Sequence, residues 1–126
     1  MTIKVGDVKD LTAITATIER YMAAAKSGTG ADMKEAFHPK ATCYGYVGDS
    51  LAFPGPIETL CDWHQTNGKA KDIKAMITNI DLVGTIAHVR VEAENWTSLK
   101  FTDMFLLLKL DGRWTIMNKV FHLHAN

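Results

Sequence analysis

Four strands in a row near the C-terminal end constrain this chain more than any other feature of its sequence. Lys74–Val83, Ile86–Trp96, Lys100–Leu110 and Arg113–His122 read as consecutive antiparallel strands, joined at Gly84-Thr85, Thr97-Ser98 and Asp111-Gly112. Asp-Gly between alternating segments is a strong hairpin signal, because a type I′ turn needs positive φ at both central residues. Helical patterns precede this meander, which predicts an α+β domain whose sheet curls around a helix-capped pocket.

Leu11, Ile14, Ile18, Tyr21 and Ala25 recur at three- and four-residue steps, so residues 8–27 form an amphipathic helix. Asp7 suits its N-cap and Gly28 its C-terminal stop. A second, short helix over Ala31–Phe37 is expected to end at His38-Pro39, since a residue before proline avoids the α region. Ala41–Val47 then reads as a short strand and Gly48–Pro54 as a loop placed to act as a lid. Pro56 suits the first turn of a third helix, with Ile57, Leu60, Cys61 and His64 on one face and Gly68 as its end.

The 126 residues, 1–126, suffice for one domain with one core. Lys and Arg together number 14, as do Asp and Glu, so the chain carries no basic footprint for nucleic acid or anionic lipid. The N-terminus MTIKVGDVKDL lacks the apolar core of a signal peptide, and no apolar run approaches a membrane span. Cys43 and Cys61 have neither metal nor redox spacing and read as reduced packing residues of a cytoplasmic protein.

Strict alternation outward from the Asp111-Gly112 turn fixes an expected register. Phe101, Asp103, Phe105, Leu107 and Lys109 share a face with Trp114, Ile116, Asn118, Val120 and His122. The opposite face carries Thr102, Met104, Leu106 and Leu108 with Thr115, Met117, Lys119 and Phe121. Both faces are substantially apolar, so one is expected to face the pocket and helices and the other a partner subunit, giving a homodimer through the outer sheet face. A two-residue Thr97-Ser98 turn places Asp103 on the charged side of the neighbouring strand, with His88, Arg90, Glu92 and Glu94. A longer turn or a bulge places it on the other side.

The segments "AFHPKATCYGYVG", "GPIETLCDW" and "FTDMFLLLKLDGRWTIMNKVFH", after a long first helix, resemble the NTF2-like superfamily, which includes ketosteroid isomerases and SnoaL-like cyclases. Within it the chain is most similar to small bacterial proteins labelled lumazine-binding. The resemblance implies an NTF2-like (cystatin-like) cone, with three N-terminal helices packed on a curved, mainly antiparallel sheet. It also implies an open-ended apolar pocket and frequent dimers. The isomerases carry an oxyanion tyrosine in an "RY" pair of the first helix, which Tyr21 in "IERYMAAAKSG" matches. Their general base is an aspartate on the first strand, where this chain has Cys43, Tyr44, Gly45 and Tyr46 and no carboxylate. Their second aspartate, held protonated, lies where Asp103 stands.

Asp103 in an otherwise apolar strand needs a partner or a proton, which makes it a site candidate; the plainer alternative is a pairing with Arg90 or Lys119 across an interface. His122 is a diagonal neighbour of Asp103 in the expected register, and an Asp-oriented histidine is the best acid or base the chain offers. Either His64 or Trp63 must face inward from the third helix. His38 caps its helix or meets a ligand, while Tyr21, Tyr44, Tyr46, Phe53, Trp63, Trp96, Phe101 and Asn118 complete the expected wall. Five histidines without ligand spacing give no metal site, and no motif calls for a cofactor. The expected function is binding of a planar or cyclic organic ligand. The alternatives are a cofactor-independent isomerase, cyclase or dehydratase using His122 and Asp103, or a dimeric scaffold with a vestigial pocket.

Overall fold

A computed structural model describes residues 8–124; the N-cap expected at Asp7 lies outside them. Helix α1 spans Val8–Ser27, α2 Gly30–Lys34 and α3 Glu58–Asn67. The strands are β1 (Phe37–Val47), β2 (Ser50–Leu51), β3 (Gly55–Pro56), β4 (Lys74–Val83), β5 (Ile86–Trp96), β6 (Leu99–Leu110) and β7 (Arg113–Leu123). They form one sheet in the order β2-β1-β7-β6-β5-β4, with β3 pairing separately on β1. Only the β1–β7 pairing is parallel.

The apolar stripe of α1 lies in the hollow of this sheet, where Ile14, Ile18, Tyr21 and Ala25 are fully buried. Residues Val89, Val91, Phe105 and Ile116 meet it from the strands as part of the same core. The N-terminal turn of α1 is fastened by Asp10, which accepts hydrogen bonds from Lys109 Nζ (2.9 Å) and Trp114 Nε1 (3.0 Å). These donors hold the Asp10 carboxyl below its ordinary pKa, the Trp114 bond contributing most.

The short helix differs from its expected span. It is confined to Gly30–Lys34 by a capping box in which Thr29 and Asp32 bond each other's backbone N–H groups (3.1 and 2.8 Å). Phe37 instead opens β1, aligned with Ile116 of β7. The expected lid contains the small β2 hairpin, and Pro56 lies in a strand rather than in the first turn of α3.

The meander has the expected strand order but not the expected register. Irregularities interrupt it between Ile77 and Asn79, between Ala93 and Trp96, and between Leu106 and Leu107. At the last of these, Leu107 pairs with Ile116 but Leu106 pairs with Asn118, so β7 carries an extra residue at Met117. A bulge of this kind bends its strand and increases the local twist, which curls the sheet into a cone. It also reverses the alternation beyond Met117. Lys119 and Phe121 therefore face inward, and Asn118, Val120 and His122 outward.

Strand β1 faces its small residues inward. A Cβ built on Gly45 would lie 2.5 Å from the ring of Phe121, which covers this position. Replacing Gly45 with alanine is expected to cost about 1–3 kcal/mol by overpacking, measured as a lower urea midpoint. Asp10→Asn is expected to lower the melting temperature at neutral pH. Because the Asp10 pKa is depressed in the folded chain, its stabilisation is present above the ordinary value of 3.8 and lost as the pH falls through the lowered value. The difference between wild type and variant should therefore vanish in acid, as a melting series across pH would show.

Candidate functional site

The inward turn of Lys119 places an ammonium group in the apolar hollow, 4% exposed. Four elements compensate it. Its Nζ donates to the Tyr21 hydroxyl oxygen on α1 at 2.6 Å and lies 3.7 Å from Asp103 Oδ1 on β6. The rings of Tyr21, Trp96 and Phe121 surround it, with centroids 5.0, 5.4 and 5.4 Å away. Asp103 is 1% exposed, and neither of its oxygens has a hydrogen-bond partner among the described residues, so Lys119 is its main compensation.

Burial disfavours the charged form of each member of this cluster, but the outcomes differ. For Lys119 burial pulls the pKa down, yet the Asp103 carboxylate and then Tyr21 outweigh it, and the net shift is upward. Lys119 is therefore held as a cation. Burial pushes Asp103 up against the opposing pull of Lys119, and likewise raises the Tyr21 hydroxyl.

Lys119 also forms part of the wall of a cavity of about 250 Å³. Phe53, Leu60, Trp63, Trp96, Phe101 and Phe121 line it too, and among the described residues Lys119 is the only charged side chain on it. The volume falls between the ~150 Å³ of a hollow that admits benzene and the ~300 Å³ at which drug-sized pockets begin. The rings interlock at the wall: Phe53 and Trp63 have centroids 5.3 Å apart, Trp96 and Phe101 6.0 Å, and Phe101 and Phe121 5.8 Å. Phe53 sits in the β2–β3 loop with a φ of 54°, a conformation costly for a bulky residue, and its ring is packed into the cavity mouth.

The candidate residues fall into three places. Phe53, Trp63, Trp96 and Phe101 line the cavity, while Tyr21 and Asp103 stand behind Lys119. Tyr44, Tyr46, Asn118 and His122 lie on the outer sheet face instead. Tyr44 and Tyr46 are 42% and 62% exposed, and the Asn118 side chain donates to Thr42 Oγ1 at 2.9 Å. His122 is exposed opposite Thr102, with its ring beside that of His124, so the expected Asp103–His122 pair is not formed: the β7 bulge puts them on opposite faces. His38 accepts a bond from the Lys40 backbone N–H (3.0 Å) rather than capping a helix, and lies apart from the cavity wall.

His64 is buried and Trp63 half-buried. While Trp63 lines the cavity, the Nε2 of His64 lies 2.9 Å from the Ala24 carbonyl and ties α3 to α1. The alternative pairing of Asp103 with Lys119 occurs, but inside one subunit. Lys119, Phe121 and Leu60 are the site residues that alternation did not select. The usable signal was Asp103 itself, since a carboxylate in an apolar strand requires a counter-charge and Lys119 is the one cation in the central part of β7. Among the described residues no cluster of three metal-ligating side chains forms, and no helix is long and apolar enough to cross a membrane.

A cone of antiparallel strands closed over a long helix, with a ring-lined cavity at its open end, is the NTF2-like architecture. Two solved structures share it over almost their whole length. An NTF2-like protein of unknown function from Methylobacillus flagellatus KT is 64% identical, with a TM-score of 0.94 and 99% of each chain covered. Another from Shewanella baltica OS155 is 33% identical, with a TM-score of 0.89 over 98% of this chain and 100% of its own. The chain belongs to the family described as "Putative lumazine-binding", whose model matches residues 9–122. It is also similar to the aldolase FrzH of a Cladobotryum species, at 36% identity over 111 residues, 87% of this chain and 88% of that one.

Removing only the ammonium leaves a buried carboxylate without its counter-charge. Lys119→Met is therefore expected to cost about 3–5 kcal/mol. Adding Asp103→Asn should recover much of that loss, and a double-mutant cycle in urea measures the coupling.

Proposed function

We propose that the protein binds a planar or cyclic organic molecule in the aromatic cavity, with one oxygen of the ligand against Lys119. The observation that carries this reading is a wall of rings to which one charged side chain, the buried Lys119, contributes, an arrangement that a packed core does not require. The rings supply contact area to a flat molecule, and the ammonium supplies direction. Lumazine, a flat two-ring heterocycle bearing carbonyl oxygens, and one-ring aromatic ketones are the ligand types to test first.

Calorimetry is expected to detect binding of at least one of these, accompanied by a rise in melting temperature. Leu60→Trp, which fills the cavity, should abolish both effects. Failure of every such ligand to bind, or binding undiminished in Leu60→Trp, would move the site elsewhere.

A second reading, a cofactor-independent enzyme, is favoured by the similarity to an aldolase. In it, Lys119 polarises a carbonyl in the role first considered for His122, which faces away from Asp103. The cavity wall itself offers no carboxylate or imidazole as a base, so binding remains the primary reading.

We further propose a homodimer through the outer sheet face. Tyr44, Val120 and Met104 align across β1, β7 and β6, beside Leu106, and each is more than 40% exposed within a single chain. A formal net charge of zero opposes no approach of a second copy. Sedimentation should give a dimer at micromolar concentration, and Met104→Glu with Leu106→Lys should give a folded monomer. A wild-type monomer under those conditions overturns this assembly.

A further inference from the structure

We propose that Lys119 makes the cavity selective for a delocalised oxyanion, the enolate of a 1,3-dicarbonyl compound, held as a reversible non-covalent ion pair. This rests on the reading that a small molecule occupies the cavity.

An ammonium carries three N–H groups. The Tyr21 oxygen receives one at 2.6 Å, Asp103 Oδ1 stands 3.7 Å from the same nitrogen, and the Lys119 side chain forms part of the cavity wall. One charged donor is thus available to a ligand. It is the only charged group there, and the rings around it keep its surroundings apolar.

That inventory discriminates among anions. A carboxylate or phosphate concentrates its charge on oxygens that need several donors, and burying them against one N–H would leave lone pairs unsatisfied. An enolate of a 1,3-dicarbonyl is flat and spreads one negative charge over two oxygens and the carbon between them. Its faces suit the rings of Phe101, Phe121 and Trp63, and its oxygen edge suits Lys119.

The cluster behind the cavity also selects the role of the amine. Asp103 and Tyr21 both favour the ammonium form, and the pKa of Lys119 is shifted upward accordingly. A protonated amine cannot attack a carbonyl carbon, so the structure assigns Lys119 to hydrogen bonding and charge stabilisation rather than imine formation. The proton leaves the carbon between the two carbonyls for bulk water. The electron pair of that C–H bond delocalises onto the oxygens, one of which accepts a hydrogen bond from Lys119. No covalent bond to the protein forms, and Lys119 keeps its proton.

The probe is 1-phenylbutane-1,3-dione, whose enol and enolate absorb at different wavelengths. Its control is 1-phenylbutan-1-one, of similar shape but far less acidic. At one fixed pH, the enolate-to-enol ratio of the bound diketone is expected to exceed that in free solution at least about tenfold, the low end of the effect of an adjacent opposite charge. Lys119→Met should abolish the enrichment. The double variant Lys119→Met with Asp103→Asn, which leaves no unpaired buried charge, should abolish it too and covers the case in which the single variant does not fold.

Intact-mass spectra should show no adduct. A gain equal to the diketone less one water would make Lys119 a nucleophile and overturn the proposal. Binding of both compounds without enrichment of the enolate, or enrichment that survives in the double variant, would overturn it while leaving the small-ligand reading intact. Binding of neither compound would overturn it, and failure of lumazine as well would remove the small-ligand reading with it.

Discussion

A charged amine in an apolar interior loses its hydration, and that loss amounts to several kcal/mol even after relaxation. The Lys119 cluster meets this requirement by drawing on four separate elements: the phenol of α1, the carboxylate of β6 and ring faces from β5 and β7. Helix and sheet are thereby joined at their centre by a polar contact as well as by packing. Replacing a buried ion pair with an apolar set of the same volume is often no less stable, so stability alone does not account for the cluster. Tyr21 and Asp103 occupy the positions that resemble the oxyanion-binding pair of the ketosteroid isomerases. In this chain they converge on a cation, Lys119, whose side chain forms part of the cavity wall.

Curvature and chemistry share a cause. The irregularities in the meander bend strands that would otherwise form a flatter sheet, and two of them also decide which side chains enter the hollow. Near Asn95, whose φ is 60°, the shift between Ala93 and Trp96 returns Trp96 to the inner face. Near Met117 the shift brings in Lys119 and Phe121. The first strand accommodates the result: Ala41, Cys43 and Gly45 are small and face inward, Gly45 where Phe121 needs room, while Tyr44 and Tyr46 point away.

The parts of the fold legible in the sequence are those governed by local rules. Turn chemistry located the hairpins, and the spacing of Ile14, Ile18, Tyr21 and Ala25 located the buried stripe of α1. The same rules misplaced His122, Asn118, Tyr44 and Tyr46. Alternation carries no mark of an inserted residue, and aromatic character does not distinguish a pocket wall from an exposed sheet face. The cavity rings Phe53, Trp63, Trp96 and Phe101 could be named because large apolar side chains near the open end of a cone have few other places to go. The electrostatic problem posed by Asp103 was visible, but its solution was not, since the inward turn of Lys119 depends on a bulge two residues before it along β7.

The bulge at Met117 has a consequence for how such a cavity can change. The sign of its charge is set by parity, by whether the number of residues between Ile116 and the end of β7 is counted with one extra or without. Pairing Met117 regularly with Leu106, with no residue removed, would turn the ammonium and the Phe121 ring outward and bring Asn118 and Val120 in, whereas deleting Met117 would leave Lys119 opposite Phe105 and still facing inward. In a curled sheet, the presence or absence of one bulge can thus exchange a cation-bearing interior for a neutral one. Chains that share this cone can therefore differ in chemistry more than their residue-by-residue likeness suggests.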